Sequence, residues 1–389
     1  MGRKMRTRSR LFTPPKGSYF LFGPRGTGKS TWCRTQYGAA PRIDLLQPDQ
    51  LRLYQARPER LRELVHQQPD GQIIVIDEVQ KAPALLDVVH SLIEEHRDWQ
   101  FVLTGSSARK LRRGGVDLMA GRAAWRELHP YLAAELGADF DLARALTLGM
   151  LPLVNEAAEP RETLAAYVGL YLREEVQQEG LVRKLADFSR FLEVLSFSHG
   201  QVVNISNIAR ECCTERTTIA GYLDIVEDLL LGFRLPVFAR RARRAVVAHP
   251  KFYYFDAGVY RSLRPAGPLD HPAEAGGVAL EGLVAQHLRA WLAYGRDAGA
   301  LHYWRTRGGA EVDFVIYGEN LFHAIEVKRA AVVQPSDLRS LASFREEYPE
   351  AKLLLLHGGT EALRINGIPC LPCAGFLQRL LPGKPLPES

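Results

Sequence analysis

Along the first third of the chain, short dense runs of apolar residues alternate with segments whose apolar positions recur at helical spacing. Residues 19–22, 43–46, 73–76 and 101–103 form the runs. Ile73, Ile74, Val75 and Ile76 are all β-branched, the pattern of a strand buried on both faces. A helical pattern begins at Lys29, and another covers 85–93. Strand and helix in alternation predict a parallel sheet covered by helices on both sides. From about Tyr131 the pattern turns helical, over 164–176, 185–195, 203–213 and 217–230. In the last of these, Ile219, Tyr222, Leu223, Val226, Leu229 and Leu230 share one face. Ser206 is the expected N-cap of the short helix in 203–213. A Pro/Gly-rich break runs from Gly267 to Gly277, and strand-like runs return at 311–317, 323–327 and 353–356.

At 389 residues, 46% hydrophobic and 24% charged, the chain has the composition of a globular protein large enough for two or three domains. No apolar run approaches the ~20 residues of a membrane span. The basic start, with Arg3, Lys4, Arg6, Arg8 and Arg10, is not followed by a signal-peptide core. It reads either as a solvated tail or as a phosphate-touching one. Five scattered cysteines suit a reducing compartment, so the expected location is cytoplasmic. Cys370 and Cys373 have CxxC spacing without a second pair, a weak signal for zinc or redox chemistry. The net charge of +6 is compatible with a nucleic-acid partner without requiring one.

The sharpest motif is Gly23-Pro24-Arg25-Gly26-Thr27-Gly28-Lys29-Ser30, followed by Thr31. It fits G-x-x-x-x-G-K-[ST] and lies between a strand and a helix pattern. Such glycines let the backbone aim several N–H groups at one phosphate, and the helix N-terminus adds favourable charge. ATP with Mg²⁺ is the expected ligand: Lys29 is expected on the β- and γ-phosphates, Ser30 on Mg²⁺. Asp77 and Glu78 end the 73–76 strand, where Asp77 can hold Mg²⁺ and Glu78 can polarise water. Thr104 and Ser106 end the next run and read either as γ-phosphate sensors or as turn chemistry. Arg122 reads either as a finger reaching a neighbouring copy's nucleotide or as an ordinary surface arginine.

Two further constellations stand out. The helix pair 203–213 and 214–230 presents Arg216, Thr217 and Thr218 at the start of its second helix, and Arg240, Arg241, Arg243 and Arg244 follow. Recognition helix and phosphate-gripping wing is one reading, helical packing with a solvated loop the other. Near the C-terminus, Asp313 and Glu326-Val327-Lys328 lie on neighbouring strand patterns, with Glu281 early in a helix pattern. Glu326 and Lys328, two apart, share a strand face. The carboxylates can hold Mg²⁺ beside a charge-stabilising lysine, as in phosphodiester cleavage. They can equally be charged sheet residues, or a nuclease fold that has kept its shape and lost its activity.

With these residues in view, the chain from about Gly17 to Leu377 resembles prokaryotic AAA+ ATPases of the archaeal type. The resemblance rests on the 23–30 loop, Asp77-Glu78-Val79-Gln80 with Pro83, Leu103–Ser107, Gly121-Arg122, Tyr254-Phe-Asp256-Ala-Gly258, and Glu281, Asp313 and Glu326-Val-Lys328. It implies an α/β chain with a parallel-sheet AAA+ P-loop domain, a helical winged-helix middle and a C-terminal α/β restriction-endonuclease-like domain. The expected division is a basic tail over 1–16, the P-loop domain over 17–136, a helical connector or lid over 137–184, the winged helix over 185–266 and the nuclease-like domain over 267–389. It also implies oligomers, hexamers among them, and DNA transactions or defence as the setting. The leading expectation is ATP turnover coupled to remodelling or translocation of DNA, branched DNA included. An ATP-controlled nuclease and a nucleotide-switched signalling protein are the alternatives.

Overall fold

The computed structural model describes residues 8–107, 121–171, 185–239, 249–265, 267, 272–295 and 299–388. The chain divides into two compact units, one reaching to His129 and including Asp228–Leu230, the other holding the rest. The connector and nuclease-like segments expected from sequence fall in the second unit, as does the winged-helix segment apart from Asp228–Leu230.

In the first unit, five strands form one parallel sheet: β1 (Tyr19–Phe22), β2 (Arg42–Asp44), β3 (Ile73–Asp77), β4 (Gln100–Gly105) and β5 (Ala124–Glu127), in the order β2-β3-β4-β1-β5. Helix Leu85–Ile93 contributes Leu85, Leu86, Val89 and Leu92 to a core shared with Phe20, Phe22, Ile74, Ile76, Phe101 and Leu103. Because all five strands run the same way, the segments that follow β1, β3 and β4 emerge at one edge of the sheet, where such folds bind ligands.

The expected tail is only partly a tail. Phe12 is buried, with its ring edge-on to Trp32 at 5.0 Å, and the Arg10 guanidinium donates to the carbonyls of Thr27 and His129. Burying a phenylalanine contributes about 1.5–3 kcal/mol toward docking the segment, alongside the Arg10 hydrogen bonds. Arg3, Lys4 and Arg6 lie outside the described residues.

The second unit holds two sheets. The smaller is antiparallel: β6 (Gln201–Val202), β7 (Gly232–Leu235) and β8 (Lys251–Tyr254), in the order β6-β8-β7. Helices Leu185–Ser196, Ile205–Glu211 and Arg216–Asp228 accompany it. Helix Ile205–Glu211 is capped not by Ser206 but by Asn204, whose extended backbone lets its side chain accept from the Asn207 N–H at 3.1 Å. In place of the helix expected over 164–176, an α-helix Pro160–Ala166 runs into a π-helical turn, Tyr167–Tyr171; residues 172–176 lie outside the described residues.

The larger sheet has six strands: β9 (Gly299–Arg305), β10 (Glu311–Gly318), β11 (Leu321–Lys328), β12 (Lys352–His357), β13 (Leu363–Ile365) and β14 (Ile368–Pro372). Their order is β13-β14-β12-β11-β10-β9. β9, β10 and β11 form an antiparallel meander, and β12 returns parallel to β11 through helix Arg339–Glu347. Both faces are buried. Phe314, Ile316, Leu354 and Leu356 join one core with Leu283, Val284 and Leu288 of helix Pro272–Tyr294. Val312, Val315, Leu353 and Leu355 join another with Leu341 and Phe344 of helix Arg339–Glu347. In β12 the period-2 alternation of a strand assigns successive residues to opposite cores, while in β10 a register irregularity between Val312 and Val315 interrupts it, so that Val312 and Phe314 join opposite cores. Cys370 and Cys373 belong to opposite cores, and both are free and buried, so the CxxC spacing makes no pair.

Candidate nucleotide site and carboxylate cluster

Gly23, directly after β1, is required by packing: a Cβ there would come within 2.5 Å of the Leu128 carbonyl oxygen. Gly26 and Gly28 have φ of 83° and 88°, the left-handed region glycine enters without penalty. They turn the chain into helix Lys29–Gln36, of which Gly28 is the N-cap. Thr27 is fully buried, its hydroxyl donating to the Pro24 carbonyl at 2.9 Å, while Arg25 is exposed. The Lys29 ammonium is buried and curls back to donate to the carbonyls of Gly23 at 2.6 Å and Pro24 at 3.2 Å. Ser30 and Thr31 open the helix in half-buried positions, and Arg42 donates to the Ser30 carbonyl at 3.3 Å.

Asp77 ends β3 with its carboxylate buried, accepting from the Thr104 hydroxyl and lying 3.7 Å from the Arg42 guanidinium. Glu78 follows at φ 61°, a costly conformation for a residue with a Cβ. Its N–H donates to the Thr104 hydroxyl at 3.2 Å. The Gln80 amide then donates to the Glu78 carboxylate at 2.6 Å and to the Ser106 hydroxyl at 3.2 Å. β4 lies between β1 and β3, so Thr104 and Ser106 stand between the glycine loop and the acidic pair. Thr104 binds Asp77, and Gln80 joins Glu78 to Ser106. Sequence reasoning did not name Arg42; it named Asp77, Glu78, Thr104 and Ser106 as candidates, but Gln80 only within the resemblance motif. Its signal was present: a long polar side chain two residues past an acidic pair, on the same turn. Ser30 and Asp77 supply the hard oxygen donors that Mg²⁺ prefers, and so fit the ion expected with a nucleotide. Arg122 is elsewhere, exposed and ion-paired with Glu94 at the end of helix Leu85–Ile93.

In the second unit, Arg216 and Thr217 are exposed at the start of helix Arg216–Asp228 and Thr218 is half-buried. Arg240, Arg241, Arg243 and Arg244, between β7 and β8, lie outside the described residues. The Tyr254–Gly258 segment is structural. Asp256 caps helix Ala257–Leu263 by accepting from the N–H groups of Gly258 and Val259, and also accepts from Met150 at 2.6 Å. Burial pushes its pKa up to about 6 against those hydrogen bonds. A Cβ at Gly258 would meet the Leu148 carbonyl at 2.3 Å.

Asp313 on β10 and Glu326 on β11 stand one step beyond the paired Phe314 and Ile325, which puts them across from each other. Asp313 accepts from the Val327 N–H at 2.9 Å, and Lys328 donates to Glu326 at 2.6 Å. Glu281 approaches from helix Pro272–Tyr294. At the centre stands Lys251 of β8, which sequence reasoning missed. Its ammonium is 3.1 Å from Glu281, 2.5 Å from Glu311 and 3.7 Å from Asp313. The signal was a lysine heading the aromatic run Phe252-Tyr253-Tyr254-Phe255, a charge in a strand buried at every position. The Tyr253 hydroxyl adds a 2.5 Å bond to Glu281. Burial holds Asp313 well above the ordinary carboxylate range, with Glu326 and Glu281 adding to the effect. Burial raises Glu326 to about 7, against the pull of Lys328. Burial opposes the charge on Lys251, but Tyr253, Glu281, Asp313 and Glu311 outweigh it and raise its pKa well above the usual value.

Where sequence placed Mg²⁺ among Glu281, Asp313 and Glu326, Glu281 and Asp313 lie beside the Lys251 ammonium and Glu326 accepts from Lys328. Among the described residues, no group of three or more His, Cys, Asp or Glu is arranged to hold a metal ion. No described helix is long and apolar enough to cross a membrane.

Residues 16–137 match a family model described as an AAA domain. Two models described as domains of unknown function, DUF8612 and DUF4143, match 139–270 and 276–376. Among solved structures, the chain is similar to the replication initiator DnaA bound to AMPPCP and single-stranded DNA, at 11% identity over 56% of this chain and 83% of that one, with a TM-score of 0.24. It is also similar to the ADP form of ORC2 from Aeropyrum pernix, at 13% identity over 69% and 88% of the two chains, with a TM-score of 0.27. Overlaps this weak carry no functional argument. The uncharacterized protein Rv2008c of Mycobacterium tuberculosis and Mb2031c of Mycobacterium bovis are each 30% identical over 354 residues, covering 87% of this chain and 76% of the relative. With an AAA-type P-loop domain, the fold of nucleotide-binding ATPases, at its N-terminal end, the chain belongs to the family of Rv2008c and Mb2031c.

Proposed function

We propose that this chain binds and hydrolyses ATP and couples the turnover to remodelling or translocating DNA. One observation carries the ATPase reading: the glycine loop, the Asp77–Glu78 pair and the Thr104–Ser106 hydroxyls stand at neighbouring strand ends of one parallel sheet. Mg²⁺, held by Ser30 and Asp77 when bound with the nucleotide, supplies charge neutralisation at the phosphates. Lys29 trades its two loop carbonyls for phosphate oxygens. Arg10 braces the loop from behind through the Thr27 carbonyl. Glu78, once free of Gln80, takes the proton of the attacking water, and Ser106 senses the γ-phosphate through the same amide.

The DNA reading rests on the second unit. Helix Ile205–Glu211, a turn and helix Arg216–Asp228 are followed by the β7–β8 hairpin, the element order of a winged helix. Arg216, Thr217 and Thr218 are the residues we assign to the groove, and Arg240, Arg241, Arg243 and Arg244 the ones we assign to phosphates. Residues 267–389 are read as a restriction-endonuclease-like fold, from a helix, an antiparallel three-strand meander, a second helix and a parallel fourth strand. Arg122 is read as a finger that exchanges Glu94 for a neighbouring copy's nucleotide in an oligomer, the hexamer being the first form to test.

The test is steady-state ATP hydrolysis with duplex, single-stranded and four-way-junction DNA, with Lys29→Ala as the blank. Stimulation by one DNA form is expected and would identify the substrate. Intact basal turnover indifferent to all three would reject DNA coupling in favour of nucleotide-switched signalling.

A further inference from the structure

Lys251 lies on the central strand of a three-stranded sheet, its backbone paired with Val202 on one side and Leu235 on the other. Its side chain is only 2% exposed. An ammonium so anchored does not swing aside as a loop lysine would. It meets three carboxylates from two other elements: Glu281 of helix Pro272–Tyr294, and Glu311 and Asp313 of β10. The Tyr303 ring lies 5.5 Å from it, within cation–π range.

The formal charges close around it. Even with every carboxylate ionised, Glu281, Glu311, Asp313 and Glu326 bring four negative charges, and Lys251, Lys328 and Arg305, the last 3.3 Å from Glu311, bring three positive ones. One negative charge is left over, and a divalent ion would overshoot it. It would also have to share the space between Glu281, Glu311 and Asp313 with a fixed positive charge, a repulsion that short range and burial make large. Without Lys251 the balance becomes two negative charges, which one divalent ion neutralises.

We infer that Lys251 is the built-in cation of this cluster: its ammonium takes the place a divalent metal would need, clamps β8 to β10 and to helix Pro272–Tyr294, and leaves the C-terminal fold unable to cut phosphodiester bonds by a metal route. The lysine and carboxylates of the nuclease pattern are kept here for cohesion. Breaking a buried ion pair from one side strands its partners and is strongly destabilising, so selection for stability alone can hold such residues in place.

The probe is Mn²⁺, followed by electron paramagnetic resonance in nucleotide-free full-length protein carrying Asp77→Asn, so that the nucleotide site does not contribute. That protein is expected to bind no Mn²⁺ sensitive to Asp313→Asn, and its melting temperature to be the same in EDTA and in Mg²⁺. Lys251→Met in the same background is expected to melt earlier, to recover on adding Mn²⁺, and to bind one Mn²⁺ at least about tenfold tighter, as follows from lifting a close repulsive charge. Mn²⁺ uptake in the presence of Lys251 that Asp313→Asn abolishes would overturn the inference, as would Mg²⁺-dependent cutting of DNA by the wild-type chain that the same substitution stops. Should Lys251→Met fail to fold, these two measurements still decide. A folded Lys251→Met protein that binds no Mn²⁺ also overturns it.

Discussion

Gln80 donates to the Glu78 carboxylate and to the Ser106 hydroxyl, two residues of the proposed nucleotide site. An amide donating to a carboxylate lowers its basicity, since a hydrogen bond to a charged group is worth about 1.5–3 kcal/mol. Gln80→Leu removes both bonds at similar volume. Basal ATP turnover is expected to rise, by up to about tenfold for each 1.4 kcal/mol released, with KM for ATP unchanged. Steady-state kinetics check this; a lower kcat would mean that Gln80 holds Glu78 in its working position. The residues of the loop were legible in the sequence because phosphate binding confines residue type and spacing to a few neighbouring positions. Arg10 and Lys251 were not. Arg10 reaches His129 across 119 positions, and Lys251 meets Glu311 across 60, contacts set by tertiary packing alone.

Elements were legible wherever one periodicity dominated. Helix Leu85–Ile93 and strand Tyr19–Phe22 have the expected bounds, and the apolar run at 353–356 is a strand covered on both sides. Caps were harder: Ser206 and Asn204 are both good capping residues, and only the extended backbone at Asn204 decides between them. At 160–171 the apolar spacing holds while the hydrogen-bond pattern changes from α to π, which a hydropathy pattern does not reveal. The prediction at this scale concerns helix Arg216–Asp228. If its exposed start enters a DNA groove, Arg216→Ala weakens DNA binding and lowers the slope of log affinity against log salt by about one. ATP turnover without DNA stays unchanged. Fluorescence anisotropy over a salt series reads this, and an unaltered slope and affinity would return Arg216 to the solvated surface.

For the whole molecule, the parallel order β2-β3-β4-β1-β5 turns three separate sequence motifs into one edge, and the C-terminal meander turns a nuclease-like pattern into a clamp around a lysine. The first outcome could be anticipated, because strand–helix alternation leaves few topologies. The second could not, because the deciding charge comes from a different sheet. The nucleotide site is the centre of the proposed function. The most direct measurement pairs equilibrium ATP binding with single-turnover hydrolysis in the wild type, Lys29→Ala and Glu78→Gln. The wild type is expected to bind and hydrolyse ATP, and Lys29→Ala to lose both. Glu78→Gln is expected to bind normally while turnover falls at least about a hundredfold, the scale of a lost general base. A wild type that does not bind ATP, or a Lys29→Ala protein that hydrolyses it at the wild-type rate, would contradict the account.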